Sequence, residues 1–291
     1  MFRSTLAALA AVSVLSATQP SSLTTDPQGF MRRLRAAVLL DYELQTGYTY
    51  LERRRDVKVS KLGKVTIGPL RTFEVFPSEE PGATYKRLIA VDGKPLDPEE
   101  LAARDEKRQR ELREAAERER TATAAERAKR HNQAQEARRE REAILDDALA
   151  VFEPTPAGRE LMDGRPVLAV DLSPRPGATV TTREGRWMKQ FEGRMWVGES
   201  DYQIAKLDMH AREDVTIGWG IIGRVHQGSR LVFTRTWIGD RWLPAETHYE
   251  VSGRTLLFRK FQFTITTTYS NYVRGVARDR TSPAPASTHP Q

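Results

Sequence analysis

The sequence predicts an α+β protein: an antiparallel sheet preceded by one helix and interrupted by a long charged helical insertion. Three observations carry this. Short runs with a two-residue period recur from Tyr48 onward. The cleanest sets Phe261, Phe263 and Ile265 against Lys260, Gln262, Thr264 and Thr266, the signature of an antiparallel strand with one wet face. The connections between such runs are short, which favours consecutive antiparallel neighbours over crossovers. Between Glu99 and Glu153 there is no glycine or proline, only a stretch rich in Ala, Glu, Arg, Lys and Gln, the strongest helix formers.

The chain opens with Met1-Phe2-Arg3, ten largely apolar residues from Leu6 to Leu15, then Ser16-Ala17 and Pro20. A basic start, a short apolar run and small residues at the cut define a secretory signal, and ten residues are half of what spans a bilayer. Residues 1–17 are therefore expected to be removed, leaving an exported protein, periplasmic in a host with an outer membrane and secreted otherwise. The sequence holds no cysteine, which excludes N-terminal lipidation, disulfides and thiolate metal sites. No later run approaches transmembrane length. The net charge of +7 is diffuse. Residues 101–150 carry 13 Lys+Arg against 12 Asp+Glu, and the excess lies elsewhere, as in Arg32, Arg33, Arg35 and Arg53 to Arg55. Such a spread excludes a nucleic-acid footprint and allows weak attraction to anionic lipid headgroups.

After a flexible leader over residues 18–27, Phe30, Leu34, Val38 and Leu39 mark an amphipathic helix over 28–43, opened by Asp26-Pro27. Tyr48 and Tyr50, Val57 and Val59, then Phe73 and Val75, then residues 84–91 read as a meander of strands, the last closed by the Asp92-Gly93 turn signal. Asp97-Pro98-Glu99-Glu100 starts the insertion, residues 97–152, with a capping carboxylate, a first-turn proline and first-turn acids. No heptad of large residues persists, so no coiled coil is predicted. The insertion is either one protruding helix or a hairpin that folds back on itself; helix propensity is weakest at Thr121–Thr123 and at His131-Asn132. Pro154-Thr155-Pro156 stops it. Val167 to Leu172 is apolar on both faces and predicts a central strand. Met195 and Val197 lead into a hairpin at Glu199-Ser200-Asp201, with Tyr202 and Ile204 on one face of the return strand and Ala205, Leu207 and Met209 on the other. Strands follow over Leu231–Ile238 and Trp242–Val251, and residues 273–291 read as a disordered tail.

No catalytic constellation emerges. Gly218-Trp219-Gly220-Ile221-Ile222-Gly223 has the dinucleotide spacing, but that fingerprint needs a helix to begin at the loop. The next residues run through Gly228 into an apolar β segment instead. His131, His210, His226, His248 and His289 show no ligand spacing; His210 and His248 on strands leave only a site assembled across the sheet. No cofactor is predicted. The aromatics are more informative. Trp187, Trp196, Trp219, Trp237 and Trp242 fall in the C-terminal half with Phe191, Phe233, Phe258, Phe261 and Phe263. They read either as sheet core or as the lining of an apolar concavity in a strongly curved sheet. Trp196, Phe233, Trp237, Phe261 and Phe263 are the candidates to line such a site.

The order of elements, the run Asp163-Gly164-Arg165-Pro166 before VLAVDL, the hairpin Trp196-Val197-Gly198-Glu199-Ser200-Asp201-Tyr202-Gln203-Ile204 and the downstream Trp242-Leu243-Pro244 resemble the outer-membrane lipoprotein-sorting superfamily. That group comprises LolA- and LolB-like carriers and RseB/MucB-like regulators. The resemblance covers residues 158–272 well and 28–95 loosely. It implies one sheet domain over 28–272, an incomplete and strongly curved β-barrel with helices as a lid over an apolar cavity. It also implies a non-enzymatic periplasmic protein that holds an acyl chain, an acylated protein or another hydrophobic ligand. The insertion at 97–152 departs from the carriers' short lid helices. An alternative reading is an envelope interaction or regulatory protein whose half-barrel is scaffold and whose charged helix is the partner surface. A membrane-embedded barrel is disfavoured by charges on both strand faces.

Overall fold

The computed structural model describes residues 22–60, 63–78, 84–217, 223–255 and 259–275. The expected signal peptide, the end of the expected tail beyond residue 275, and Gly218 to Ile222 of the glycine motif lie outside them. Helix α1 (Ser22–Thr25) precedes α2 (Pro27–Gln45). Leu23 in α1 is buried, so the chain expected to be a flexible leader is ordered from Ser22 onward. Asp26 caps α2, its carboxylate accepting from the Gly29 N–H at 2.8 Å, with Pro27 at the first helical position.

Strands β1 (Tyr48–Val59), β2 (Val65–Ile67), β3 (Arg71–Phe76), β4 (Tyr85–Val91) and β5 (Lys94–Pro95) lead into α3 (Pro98–Thr121) and α4 (Ala124–Val151). Then come β6 (Phe152–Met162), β7 (Arg165–Pro174), α5 (Arg183–Met188), β8 (Phe191–Gly198) and β9 (Ile204–Ala211). The chain ends with β10 (Val215–Ile217), β11 (Gly223–Val225), β12 (Arg230–Ile238), β13 (Arg241–Thr255) and β14 (Arg259–Arg274). The last strand thus runs two residues into the expected tail. All pairings are antiparallel, in the order β5-β4-β3-β1-β14-β13-β12-β9-β8-β7-β6, with β2 against β1 and the β10–β11 ribbon against β13. Edge strands β5 and β6 do not pair with each other; the sheet is an open half-barrel. The first and last strands lie side by side at its middle, from Tyr48 opposite Arg274 to Val59 opposite Gln262.

The Asp92-Gly93 turn forms as predicted, both residues at positive φ (50° and 76°), the conformation that a two-residue hairpin requires. The strand expected to be central, Val167–Leu172, is instead one in from the edge. Its double burial comes from two clusters. On one face Leu168, Val170 and Leu172 pack with Met195, Val197, Met209 and the α1–α2 residues Leu23, Phe30 and Leu34. On the other, Val167 and Ala169 pack with Trp196, Ala205 and Trp242.

The insertion is two helices. It breaks at Ala122–Thr123, both extended (ψ 134° and 162°), while His131-Asn132 stays inside α4. Thr123 restarts the helix through a capping box with Glu126, so the break falls where a threonine can satisfy the orphan N–H groups. At the base of the arm Asp105 of α3 accepts two bonds from Arg87, at 2.7 and 2.6 Å. Asp146 of α4 accepts from Arg35 of α2 at 2.6 Å. The arm leaves from β5, one edge of the sheet, and re-enters at β6, the other. Among the described residues no helix is long and apolar enough to cross a membrane.

Candidate functional site

The half of α2 nearest its start is fixed to the sheet. Phe30 is buried and meets Tyr202 edge-on at 5.7 Å, and Leu34 sits one turn further on the same face. Beyond Leu34 contact thins. Ala37, Val38 and Asp41 then roof an apolar cleft of about 250 Å³, whose floor is Gln203, Ile204, Leu207, Phe233 and Arg235.

Two irregularities of the sheet build that floor. Lys206 pairs with Trp196 but Ile204 with Val197, leaving Ala205 as an extra residue. This β-bulge turns Ile204 and Leu207 toward the same cluster, where strict alternation places them on opposite faces. A second register shift pairs Thr234 with Glu246 but Arg235 with Pro244.

Arg235 is 4% exposed and lines the floor with Gln203 and the apolar Ile204, Leu207 and Phe233. One of its terminal nitrogens, Nη2, donates to Asp41 Oδ1 at 2.7 Å and to the Trp242 carbonyl. The other, Nη1, donates to the Ile204 carbonyl at 3.1 Å. Asp41's second oxygen accepts from Gln45 Nε2 at 2.7 Å. Arg235 Nε is buried without a partner.

Of the five aromatics expected to line a concavity, the structure brings only Phe233 to the cleft. Trp196 is buried in the second cluster, on the opposite side of the sheet from α2, with Lys206 over its ring at 4.4 Å. Trp237 packs against that cluster, edge-on to Trp242 at 5.6 Å and under Arg165 at 3.6 Å. Phe261 and Phe263 stack on each other at 5.9 Å on β14, two strands from β12. Trp219 and Phe258 lie outside the described residues.

Near the pairing of first and last strands, one face of the sheet is filled by tyrosines, while on β1 and β14 Arg53, Arg55, Val57, Thr266 and Thr268 line a second cleft of about 310 Å³ with Leu70. Tyr50 meets Tyr269 and Tyr272 at 5.8 and 5.2 Å. Burial pushes the Tyr50 phenol up to about 12, with the Glu52 charge adding to it, and burial likewise raises Tyr269 and Tyr272. Glu52, 3% exposed, is paired with Lys86 at 2.6 Å.

The histidines are dispersed. His210 meets Glu192 at 3.2 Å, His226 meets Asp214 at 3.3 Å and His248 meets Thr266 at 3.0 Å. Among the described residues no three metal-ligating side chains converge. At the glycine motif, the flanking β10 and β11 form an antiparallel ribbon with Ile217 opposite Gly223, where a dinucleotide loop requires a helix.

Asp41, Gln203 and Arg235 were not among the sequence candidates, although the pattern held a signal for two of them. Arg235 continues the alternation of Leu231 and Phe233. Asp41 continues the helical spacing of Leu34 and Val38. A charge on each apolar face is the mark of an internal ion pair.

No protein-family model and no curated protein matches this chain. It is similar to several solved structures. A domain named for outer-membrane lipoprotein sorting, from Vibrio parahaemolyticus, is 8% identical over 85% of this chain and 93% of that one, with a TM-score of 0.32. A LolA superfamily protein from Nitrosomonas europaea is 8% identical over 84% and 91%, with a TM-score of 0.25. The MucA/MucB complex from Pseudomonas aeruginosa is matched at 9% identity over 83% and 93%, with a TM-score of 0.21. At such identities and TM-scores these likenesses carry no activity, ligand or partner over to this chain.

Proposed function

We propose that this is an exported, non-enzymatic binding protein that holds part of an acyl chain, or a similar apolar group, in the cleft between α2 and the sheet. The observation that carries the reading is the cleft itself: Ala37, Val38, Ile204, Leu207 and Phe233 present apolar surface around one buried ion pair. Few convergent polar groups in an apolar concavity are what small-molecule sites are made of. At about 250 Å³ the space suits a short stretch of chain rather than a whole lipid. The α2 roof is well placed to act as a lid, because its burial is concentrated at Phe30 and Leu34 while Leu40 and Leu44 are exposed.

The test uses protein lacking residues 1–17 and a neutral, environment-sensitive naphthylamine dye. Saturable binding is expected, with displacement by amphiphiles bearing alkyl chains. Leu207→Trp should fill the floor of the cleft and lower dye affinity about tenfold or more, the loss of roughly one buried side chain's worth of contact. Absence of saturable binding, or an L207W protein of native circular dichroism that binds as before, would sink the reading.

A second reading rests on the arm. Helix α3 has no buried residue, and its surface is a lattice of ion pairs such as Arg104–Glu100 and Arg110–Glu106. This is a surface suited to a polar protein partner. Replacing residues 100–150 by a flexible linker separates the two readings. Loss of a captured partner with dye binding retained favours the arm.

A further inference from the structure

We propose that the β1–β2 hairpin and the cleft beside it dock this protein on an anionic phospholipid membrane. This surface lies on the face of the sheet away from α2, so it stands whether or not the α2 cleft takes a ligand. Val57 and Val59 of β1 sit opposite Ile67 and Val65 of β2. Because side chains alternate along a strand, the four share one face. Val65 is 57% exposed and Ile67 67%, and among the described residues β2 pairs only with β1. Exposed β-branched residues gathered on one small hairpin mark an interaction surface.

Charge says what that surface meets. Arg53 and Arg55 continue the face of Val57 along β1 and line the second cleft with it, next to Thr266 and Thr268. Arg55 is held only by Asp92 at 3.8 Å, both side chains about half exposed. Among the described residues Arg53, Lys58 and Lys64 have no acidic partner. The sequence holds no Asp or Glu between Asp56 and Glu74. On the neighbouring strands of this face, Glu246 and Glu250 of β13 lie beyond β14, and Glu74 of β3 is taken by Arg87 at 2.8 Å. A row of cations beside a row of exposed apolar side chains fits a partner with anions layered over hydrocarbon. An anionic bilayer has that layering, with phosphates for the arginines and acyl carbons for Val65 and Ile67. The lysine stems can lie along the apolar layer while their ammonium groups reach the headgroups.

Sedimentation with lipid vesicles reads this out, using protein lacking residues 1–17 so that the apolar N-terminus cannot bind by itself. Vesicles of phosphatidylcholine containing phosphatidylglycerol are expected to bind it about tenfold or more tighter than phosphatidylcholine alone, and less tightly as salt rises. Arg53→Gln with Arg55→Gln should weaken binding about fivefold per charge removed. Ile67→Ser should weaken it about tenfold, the scale of one buried aliphatic side chain. These side chains are exposed, and native circular dichroism checks that each variant is folded. Equal binding to neutral and anionic vesicles overturns the proposal, as do folded variants that bind like the wild type. Displacement from vesicles by soluble glycerol phosphate would make the cleft a small-anion site instead. Self-association without vesicles, abolished by Ile67→Ser and accompanied by no vesicle binding, would make the hairpin a contact between copies of this chain.

Discussion

Asp147 shows how one side chain fixes the arm to the sheet domain. It is 4% exposed and accepts bonds from the Thr181 and Thr182 N–H groups at 2.9 and 2.6 Å and from the Thr182 hydroxyl at 2.6 Å. Burial by itself would raise its pKa; the bonds from Thr182 and Thr181 outweigh that and hold it below the usual carboxylate value. A depressed folded-state pKa means its stabilisation is complete above the unfolded value. It is then lost as pH falls from about 4 through the folded value. Asp147→Ala leaves those buried donors unpaired and is expected to cost about 2–3 kcal/mol at neutral pH. Urea unfolding should show the deficit shrinking below about pH 4. A deficit constant with pH would mean that the carboxylate charge plays no part. The same residue explains Gly185, where any Cβ would lie 2.4 Å from Asp147 Oδ2.

At the scale of elements, β6 is the informative case. It is an edge strand yet contains Pro154 and Pro156, opposite Leu172 and Val170 of β7. Proline is tolerated at an edge because the missing N–H would face outward, and it denies a docking strand its donors. Leu161, 74% exposed on the same strand, makes such protection useful. Replacing both prolines with valine is therefore expected to leave the monomer folded but promote self-association. Light scattering at rising concentration would show it; a double variant as monodisperse as wild type would contradict the assignment. The Pro154-Thr155-Pro156 run was legible as a helix stop, but that it doubles as edge protection depends on strand order.

The whole molecule is closed by pairing at its middle and by the arm at its margins. Since β5 and β6 are opposite edges, the α3–α4 arm connects the two ends of the sheet. At 1.5 Å per residue its helices run about 36 and 42 Å. The segment before the break and the segment after it share the β1–β14 ladder, from Tyr48–Arg274 to Val59–Gln262, and the packing of α2 on β7, β8 and β9. A single proteolytic nick near Ala122–Thr123 is thus expected to give two fragments that co-elute under native conditions and separate only in denaturant. Fragments that part without denaturant would show the arm to be the essential tie.

Local chemistry determined much by itself. The Asp26 and Asp97 caps, the Asp92-Gly93 turn, the alternation in β14 and the glycine-free insertion are each set by neighbours within a few residues, where caps, turn dihedrals and periodicity act. The candidate site was legible only in part. Phe233 lies at the cleft, whereas Trp196 and Trp237 pack into the second cluster. The aromatic content of a strand does not say which face is covered by a helix and which by other side chains. The bulge at Ala205 reverses the expected facing of Ile204, and no local pattern announces it. The meeting of Asp41 with Arg235, 194 positions apart in the chain, is decided only when α2 lies across β9 and β12. Burial forces distant charges to find each other, and burial belongs to the tertiary structure.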